Sequence, residues 1–266
     1  MKLGIVSDEI VPDFAEAVWH GKRWGIFDYE IRVLRTGRVP DIDREEFRSV
    51  MRTVDRERVR VTALSPGVFK IPLKDRERVE KEITEVLPET FRLAEQLGTR
   101  LIIVFGFENY PGEPEDNRDR VVEIFGRVAR LGQEHGFTIA VENEPNHWCD
   151  TASRTAAILR GVNSPYLRSN WDLGNCFCSG ETPFPDGWRA IRDFVVNVHI
   201  KDYCRKNGNC ECVLVGDGEI DYEGQLVALQ REKPLHHVTL ETHVTPFLQS
   251  SRICAHRLQA MLRRLG

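Results

Sequence analysis

The sequence predicts an α/β protein built as a single (β/α)8 (TIM) barrel over residues 1–266, and three observations carry that prediction. Strand-length apolar runs alternate with amphipathic segments along the whole chain, the pattern of a parallel α/β fold. The chain has 266 residues, close to the ~250 typical of one such barrel. Four of the apolar runs also end on a metal-binding residue: Ile139-Ala140-Val141-Glu142, Ser169-Asn170-Trp171-Asp172, Val195-Val196-Asn197-Val198-His199 and His237-Val238-Thr239-Leu240-Glu241. A charge at the end of a buried strand costs several kcal/mol unless it is paired or ligated. Four in succession fit barrel strands delivering ligands to one ion at the end where such barrels carry their active sites.

The elements follow in order. Strands are expected near 2–6, 26–34 and 60–64, with helices over 12–24 and 43–58 between them. Trp19, in the first helix, is expected in the core. A long helix is expected over 75–97, where Leu87, Phe91, Ala94 and Leu97 recur at three- and four-residue steps, and Gly98 should stop it. A strand near 100–105 follows. Val121, Ile124, Phe125 and Val128 mark a helix over 117–135, stopped by Gly136, before a strand at 138–142. The remaining strands are expected at 169–172, 195–200 and 237–241, with helices at 151–161, 187–193, 221–231 and 248–264. No Gly-x-Gly-x-x-Gly follows the first strand, so the dinucleotide fingerprint of an open sheet is absent.

Composition narrows the function classes. A hydrophobic fraction of 41% with 29% charged residues fits a globular protein with a full core. The net charge of −4 offers no electrostatic reason to expect nucleic acid or an anionic membrane as partner. Asp8 and Glu9 follow the first apolar residues too soon for a signal peptide, and no apolar stretch nears the ~20 residues of a membrane span. The expectation is a cytoplasmic protein. Seven cysteines fit a reducing compartment; Cys176, Cys178, Cys204, Cys210 and Cys212 fall after the sixth and seventh strands at spacings unlike common zinc frameworks. They are expected to be reduced loop cysteines. The mixed-sign runs at 55–60 and 74–82 are expected to be solvated helix faces.

Three carboxylates and one imidazole, Glu142, Asp172, Glu241 and His199, suit a hard to borderline divalent cation with positions left for substrate oxygens. Mn2+ comes first, with Mg2+, Co2+ and Zn2+ also allowed; the plain alternative is buried ion pairing with barrel lysines and arginines. Val141-Glu142-Asn143, Trp171-Asp172-Leu173-Gly174-Asn175, Val198-His199-Ile200-Lys201-Asp202 and Leu240-Glu241 resemble the sugar phosphate isomerase/epimerase family with its xylose isomerase-like barrel. Ser7-Asp8-Glu9-Ile10, Tyr29-Glu30-Ile31-Arg32, Ser65-Pro66 and the loop Val215–Asp221 extend the resemblance over nearly the whole chain.

The resemblance implies one divalent metal on Glu142, Asp172, His199 and Glu241, with Glu142 and Glu241 also acting as acid and base on opposite faces of a small carbohydrate. A metal holding a carbonyl and its neighbouring hydroxyl acidifies the intervening C–H and stabilises the enediolate. One carboxylate then removes the proton and the other returns it. A β-leaving group would turn the same machinery into a dehydratase or lyase on a keto-cyclitol or oxidised sugar. Lys201, two residues after His199, should share its side of the strand and reach a substrate oxygen. Glu30, Arg32, Lys70, Glu144, Asn175 and His147 are the other substrate-contact candidates, each with an ion-pair or loop role as its plain alternative. Glu144 and Asn175 stand where relatives often carry histidine. A nuclease sharing this barrel needs further histidines where this chain has Leu64-Ser65, Phe105-Gly106 and Asp217-Gly218-Glu219; a non-catalytic sugar-binding barrel is the remaining reading. Family members are often dimers or tetramers, so a homo-oligomer is allowed.

Overall fold

A computed structural model describes residues 1–114 and 117–265. The chain runs through β1 (Lys2–Val6), β2 (Asp28–Ile31), β3 (Arg60–Leu64), β4 (Leu101–Val104), β5 (Thr138–Glu142), β6 (Leu167–Asp172), β7 (Val195–Ile200), β8 (Asp202–Lys206), β9 (Asn209–Val213) and β10 (His237–Leu240). Eight of these close a barrel in the order β1-β10-β7-β6-β5-β4-β3-β2, with every neighbouring pair parallel. Helices connect the strands and bury one stripe each against the sheet. In the helix Phe14–Arg23 that stripe is Phe14, Ala17, Val18 and Gly21, the i, i+3, i+4, i+7 spacing of a single face.

Four expectations are corrected. Trp19 is 52% exposed rather than in the core, because it lies one position past the stripe; the Arg23 guanidinium covers its ring at 3.4 Å. The second strand is shorter than 26–34, because the chain doubles back after Ile31: Val33 bridges Arg38 antiparallel, and Leu34 N–H donates to Gly37 O at 2.8 Å. The helix expected over 75–97 is interrupted by a π-helical turn at Glu82–Val86. Pro88, at the start of the helix Leu87–Gln96, has no N–H for the regular ladder, and the wider turn absorbs that loss.

The fourth correction is the hairpin of β8 and β9, paired from Asp202↔Val213 to Lys206↔Asn209. Asn207 and Gly208 turn it with φ of 50° and 83°, the left-handed geometry that Asn-Gly favours in two-residue hairpins. All seven cysteines are free. Cys210 and Cys212 lie on one face of the hairpin and Cys204 on the other, because Cys204 pairs Glu211 while Cys212 pairs Tyr203. The metal-competent side-chain clusters among the described residues contain no cysteine.

Candidate metal centre and active site

Glu142, Asp172 and Glu241 stand at or one residue beyond the C-terminal ends of β5, β6 and β10, and His199 is the penultimate residue of β7. The register sets Asp172 beside His199 and His199 beside Thr239. One ligand atom from each of Glu142, Asp172, His199 and Glu241 lies within 4.8 Å of all the others, and all four residues are buried. The four predicted ligands therefore meet at one point.

Local structure aims each of them. Asn143 clamps the Asp172 peptide at both ends: its Oδ1 accepts from Asp172 N at 2.9 Å and its Nδ2 donates to Asp172 O at 2.8 Å. Asp172 Oδ1 accepts from Asn175 N at 2.7 Å, capping the helix Leu173–Cys178. That leaves Oδ2 turned into the cluster, where it has no hydrogen-bond partner. Gly174 makes the close approach possible, because a Cβ there would lie 2.7 Å from Lys201 O and 2.8 Å from Lys201 Cγ.

Beneath the ligands runs a polar layer that the sequence reading did not single out. Asn170, Asn197 and Thr239 each stand two residues before a ligand and so face the same side of their strands. Asn197 Nδ2 donates to Glu30 Oε1 at 2.7 Å and to Asn170 Oδ1 at 3.0 Å. Asn170 Nδ2 donates to Glu142 Oε2 at 3.1 Å, and Thr239 Oγ1 to Glu30 Oε1 at 2.6 Å. Glu30 is thus a buried anion, and its Oε2 lies 2.7 Å from His199 Nε2. The ring proton belongs on Nε2 toward Glu30, so Nδ1 is the nitrogen offered to the cluster. It lies 3.4 Å from Glu241 Oε2 and 3.5 Å from Glu142 Oε2, with no hydrogen bond of its own.

Two orphaned buried atoms, Asp172 Oδ2 and His199 Nδ1, converge with two carboxylates from the neighbouring strand ends. That donor set fits a divalent cation of the hard to borderline kind. The electrostatics show an excess of negative charge in the cluster, which holds protons that a bound cation would displace. Burial, reinforced by Glu142 and Glu241, pushes the Asp172 carboxyl up to about 7 even though Lys201 opposes it. Burial alone would lower His199, but Glu30 and Glu142 outweigh it and hold the imidazole well above its ordinary range. Burial would raise Glu241 too, and here Lys201 and then His243 win, holding it well below the usual carboxylate range.

Lys201 brings its ammonium into the same cluster, 2.8 Å from Glu241 Oε2, 3.1 Å from Asp172 Oδ2 and 3.9 Å from Glu142 Oε1. The Asp172 contact is an ion pair without hydrogen-bond geometry, so Oδ2 remains unsatisfied. Arg32 reaches Asp8, Glu9 and Glu241 together, with Nη2 at 2.8 Å from Asp8 Oδ2 and 2.9 Å from Glu9 Oε1. A second group, Glu9, Glu241 and His243, also has metal-competent spacing. Arg32 bridges its Glu9 and Glu241 carboxylates, whereas the first cluster keeps two buried donor atoms without a hydrogen bond, so the first cluster is the better cation site.

Above the cluster lies a cavity of about 40 Å³ lined by Arg32, Arg38, Ser65, Lys70, Phe105, Glu144 and His243 together with the ligands Glu142, His199 and Glu241, and with Glu30 and Lys201. Lys70 pairs with Glu144 at 2.9 Å, its Nζ 4.4 Å above the Phe105 ring. Asn175 does not line the cavity; its Nδ2 donates to Asn143 O at 2.8 Å and reaches Glu142 Oε1 at 3.4 Å. His147 is also outside the lining, buried in its loop with Nδ1–H donating to Pro145 O at 2.9 Å. A larger cavity of about 830 Å³ opens at the opposite end of the barrel around Lys2, Trp24 and Arg60, away from the ligand cluster.

Comparison with known proteins agrees with this architecture. Residues 22–264 match the family model described as xylose isomerase-like TIM barrel. A curated 3-dehydroshikimate dehydratase of Bacillus anthracis is 26% identical over 88 residues, a match spanning 33% of this chain and 31% of that protein. The crystal structure of the probable 3-DHS dehydratase AsbF from Bacillus anthracis superposes with a TM-score of 0.81 at 18% identity, covering 97% of this chain and 99% of that one. D-allulose 3-epimerase from Methylomonas sp., solved in complex with D-allulose, gives a TM-score of 0.78 at 17% identity over 99% and 97% of the two chains. At these identities the structural likeness speaks for the fold.

Proposed function

The chain belongs to the xylose isomerase-like TIM barrel family, and from that premise we propose that it is a divalent-metal-dependent enzyme that enolises a small hydroxylated carbonyl compound of the carbohydrate type. The observation that carries this reading is the convergence of Glu142, Asp172, His199 Nδ1 and Glu241 at the mouth of the barrel, with two of those donor atoms buried and unsatisfied. A cation held there would polarise a carbonyl and offset the negative charge that grows on its oxygen, Mn2+ being the first choice for this donor set.

The chain's own groups supply the rest. Glu142 and Glu241 both border the cavity and both carry carboxylates able to exchange a proton with a carbon between them. Lys201 brings a buried ammonium to the same cluster, a charge that would stabilise an enolate oxygen. Glu30 fixes the tautomer of His199 from below. Returning the proton to the same or the neighbouring carbon makes the enzyme an epimerase or isomerase, the reading that the Glu142/Glu241 pair supports. The D-allulose 3-epimerase among the structural neighbours is consistent with it.

Elimination is the second reading, and a specific contact favours it. Glu241 is held by Lys201, Arg32 and His243 at once, the last at 3.0 Å from its Oε1, which makes it the weaker base of the two. His243 borders the cavity, and Glu241 beside it raises its pKa, which favours a ring N–H able to protonate a departing β-hydroxyl. The relatives named as 3-dehydroshikimate dehydratases suit this outcome. A nuclease fits less well, because Leu64, Ser65, Phe105 and Gly106 supply no further metal ligands and Arg32 fills the second cluster.

Incubating the Mn2+-loaded protein in D2O with a panel of ketoses, uronates and keto-cyclitol acids tests the reading. Deuterium entering next to the carbonyl is expected. An epimer as product gives the first fate and a dehydrated, ultraviolet-absorbing product the second. No exchange with any member of the panel would refute the proposal.

A further inference from the structure

Among the described residues, the cavity over the metal-competent cluster carries one cation with no carboxylate to pair with. Arg32, Lys70, Lys201 and His243 each meet at least one acidic side chain. Arg38 has no acidic ion-pair partner among the described residues; its Nη1 donates to Ser65 O at 3.1 Å. Two local devices hold it at the cavity wall. The turn after β2 folds back so that Val33 bridges Arg38 and Val39 N–H donates to Arg32 O at 3.1 Å. Gly67, with φ of +78°, then lets the guanidinium lie against bare backbone: a Cβ there would sit 3.1 Å from Arg38 Cδ and 3.3 Å from its Nη1.

A guanidinium has five N–H donors, so Arg38 retains most of its capacity for an anion. Burial and the nearby charge of Arg32 both weigh against the Arg38 cation, a load that a bound anion relieves. The lining also holds the Glu142, Glu241 and Glu30 carboxylates, which repel an anion and leave Arg38 as its partner. We propose that the substrate carries a carboxylate, bound by Arg38 at the wall of the cavity, while its carbonyl and hydroxyl end faces the Glu142–Asp172–His199–Glu241 cluster. This rests on the functional reading above and narrows it to hydroxylated keto acids and their ring forms. A phosphate suits the wall less well. Dianions of that kind are usually cradled by several backbone N–H groups after the last barrel strands, and the segment Glu241-Thr242-His243-Val244-Thr245-Pro246 contains no glycine.

Calorimetric titration of the Mn2+-loaded protein with shikimate and with D-glucuronate, each against its methyl ester, tests the charge requirement at nearly constant shape. The acids should bind at least about tenfold tighter than the esters. Arg38→Gln should weaken the acids by about 10- to 100-fold and leave the esters unchanged, while Arg38→Lys keeps part of the preference. Equal binding of acid and ester, or a preference that survives Arg38→Gln, overturns the assignment. Uptake of one Mn2+ per chain is followed separately. Metal uptake without charge discrimination overturns the substrate class alone; absence of metal uptake overturns the functional reading and this one with it.

Discussion

His199 Nε2 lies 2.7 Å from Glu30 Oε2, and this contact decides which nitrogen of the imidazole faces the other three ligands. Glu30 is held in turn by Asn197 and Thr239, so the orientation is imposed from the barrel interior rather than from the mouth. Glu30→Gln should therefore cost about 10- to 100-fold in Mn2+ affinity while the fold persists. A metal titration alongside circular dichroism checks it, and unchanged affinity would mean that His199 needs no such orientation.

Metal uptake should depend on pH through Asp172. Its carboxyl rises from 3.8 to about 7 in the folded protein, and a metal ligand must lose its proton to bind. Mn2+ affinity should climb at least about tenfold per pH unit as the pH approaches 7 and keep rising above it, because His199, held well above its ordinary range, must shed a proton as well. The metal-free protein should show the opposite slope in its stability. Between about pH 4 and 7 the unfolded chain releases the Asp172 proton and the folded one keeps it, so this group's contribution to stability falls as the pH rises. Denaturant melts of the wild type and Asp172→Asn over that range should diverge accordingly, and parallel curves would contradict it.

Glu142→Gln should lower solvent-deuterium exchange into the substrate by about 10²- to 10⁴-fold. Glu241→Gln separates the two fates. An epimerase loses its product but retains some exchange through Glu142, whereas an eliminating enzyme keeps forming its dehydrated product at a reduced rate. Bound Mn2+ per chain is measured for each variant, so that loss of metal is not mistaken for loss of a base. Full activity in both variants would remove these residues from the chemistry.

Asn143→Leu should destabilise the protein by about 1–3 kcal/mol, because it removes the buried acceptor of the Asp172 N–H and a donor to its C=O. Chemical denaturation reads this directly. A smaller effect would mean that water replaces the amide.

Much of this was legible in the sequence because a barrel strand buried on both faces is an apolar run, and a charge at its end stands out against that background. The convergence of Glu142, Asp172, His199 and Glu241 was expected on that ground. The layer beneath them left a fainter trace. Asn170, Asn197 and Thr239 are uncharged and sit inside strands, yet each lies two residues before a ligand, a spacing that marks the same face. The hairpin at 202–213 was missed: Asn207-Gly208 marks its turn, but the mixed composition of the two short strands hid them. Arg38 could not be read at all. Its place depends on the early end of β2 and on the missing side chain at Gly67, both tertiary facts. Trp19 failed for a simpler reason, since an aromatic residue beside an apolar stripe resembles a member of it.

Glu142, Asp172, His199 and Glu241 are mounted on strands or their immediate ends, whereas Arg38, Lys70 and Glu144 stand on the turns and loops that follow β2, β3 and β5. The scaffold therefore separates the two jobs along the chain. Under the proposed function, exchanging those short connections between barrels of this kind should retarget the protein to new compounds while the strand-borne cluster stays as it is, which makes the fold a natural chassis for grafting.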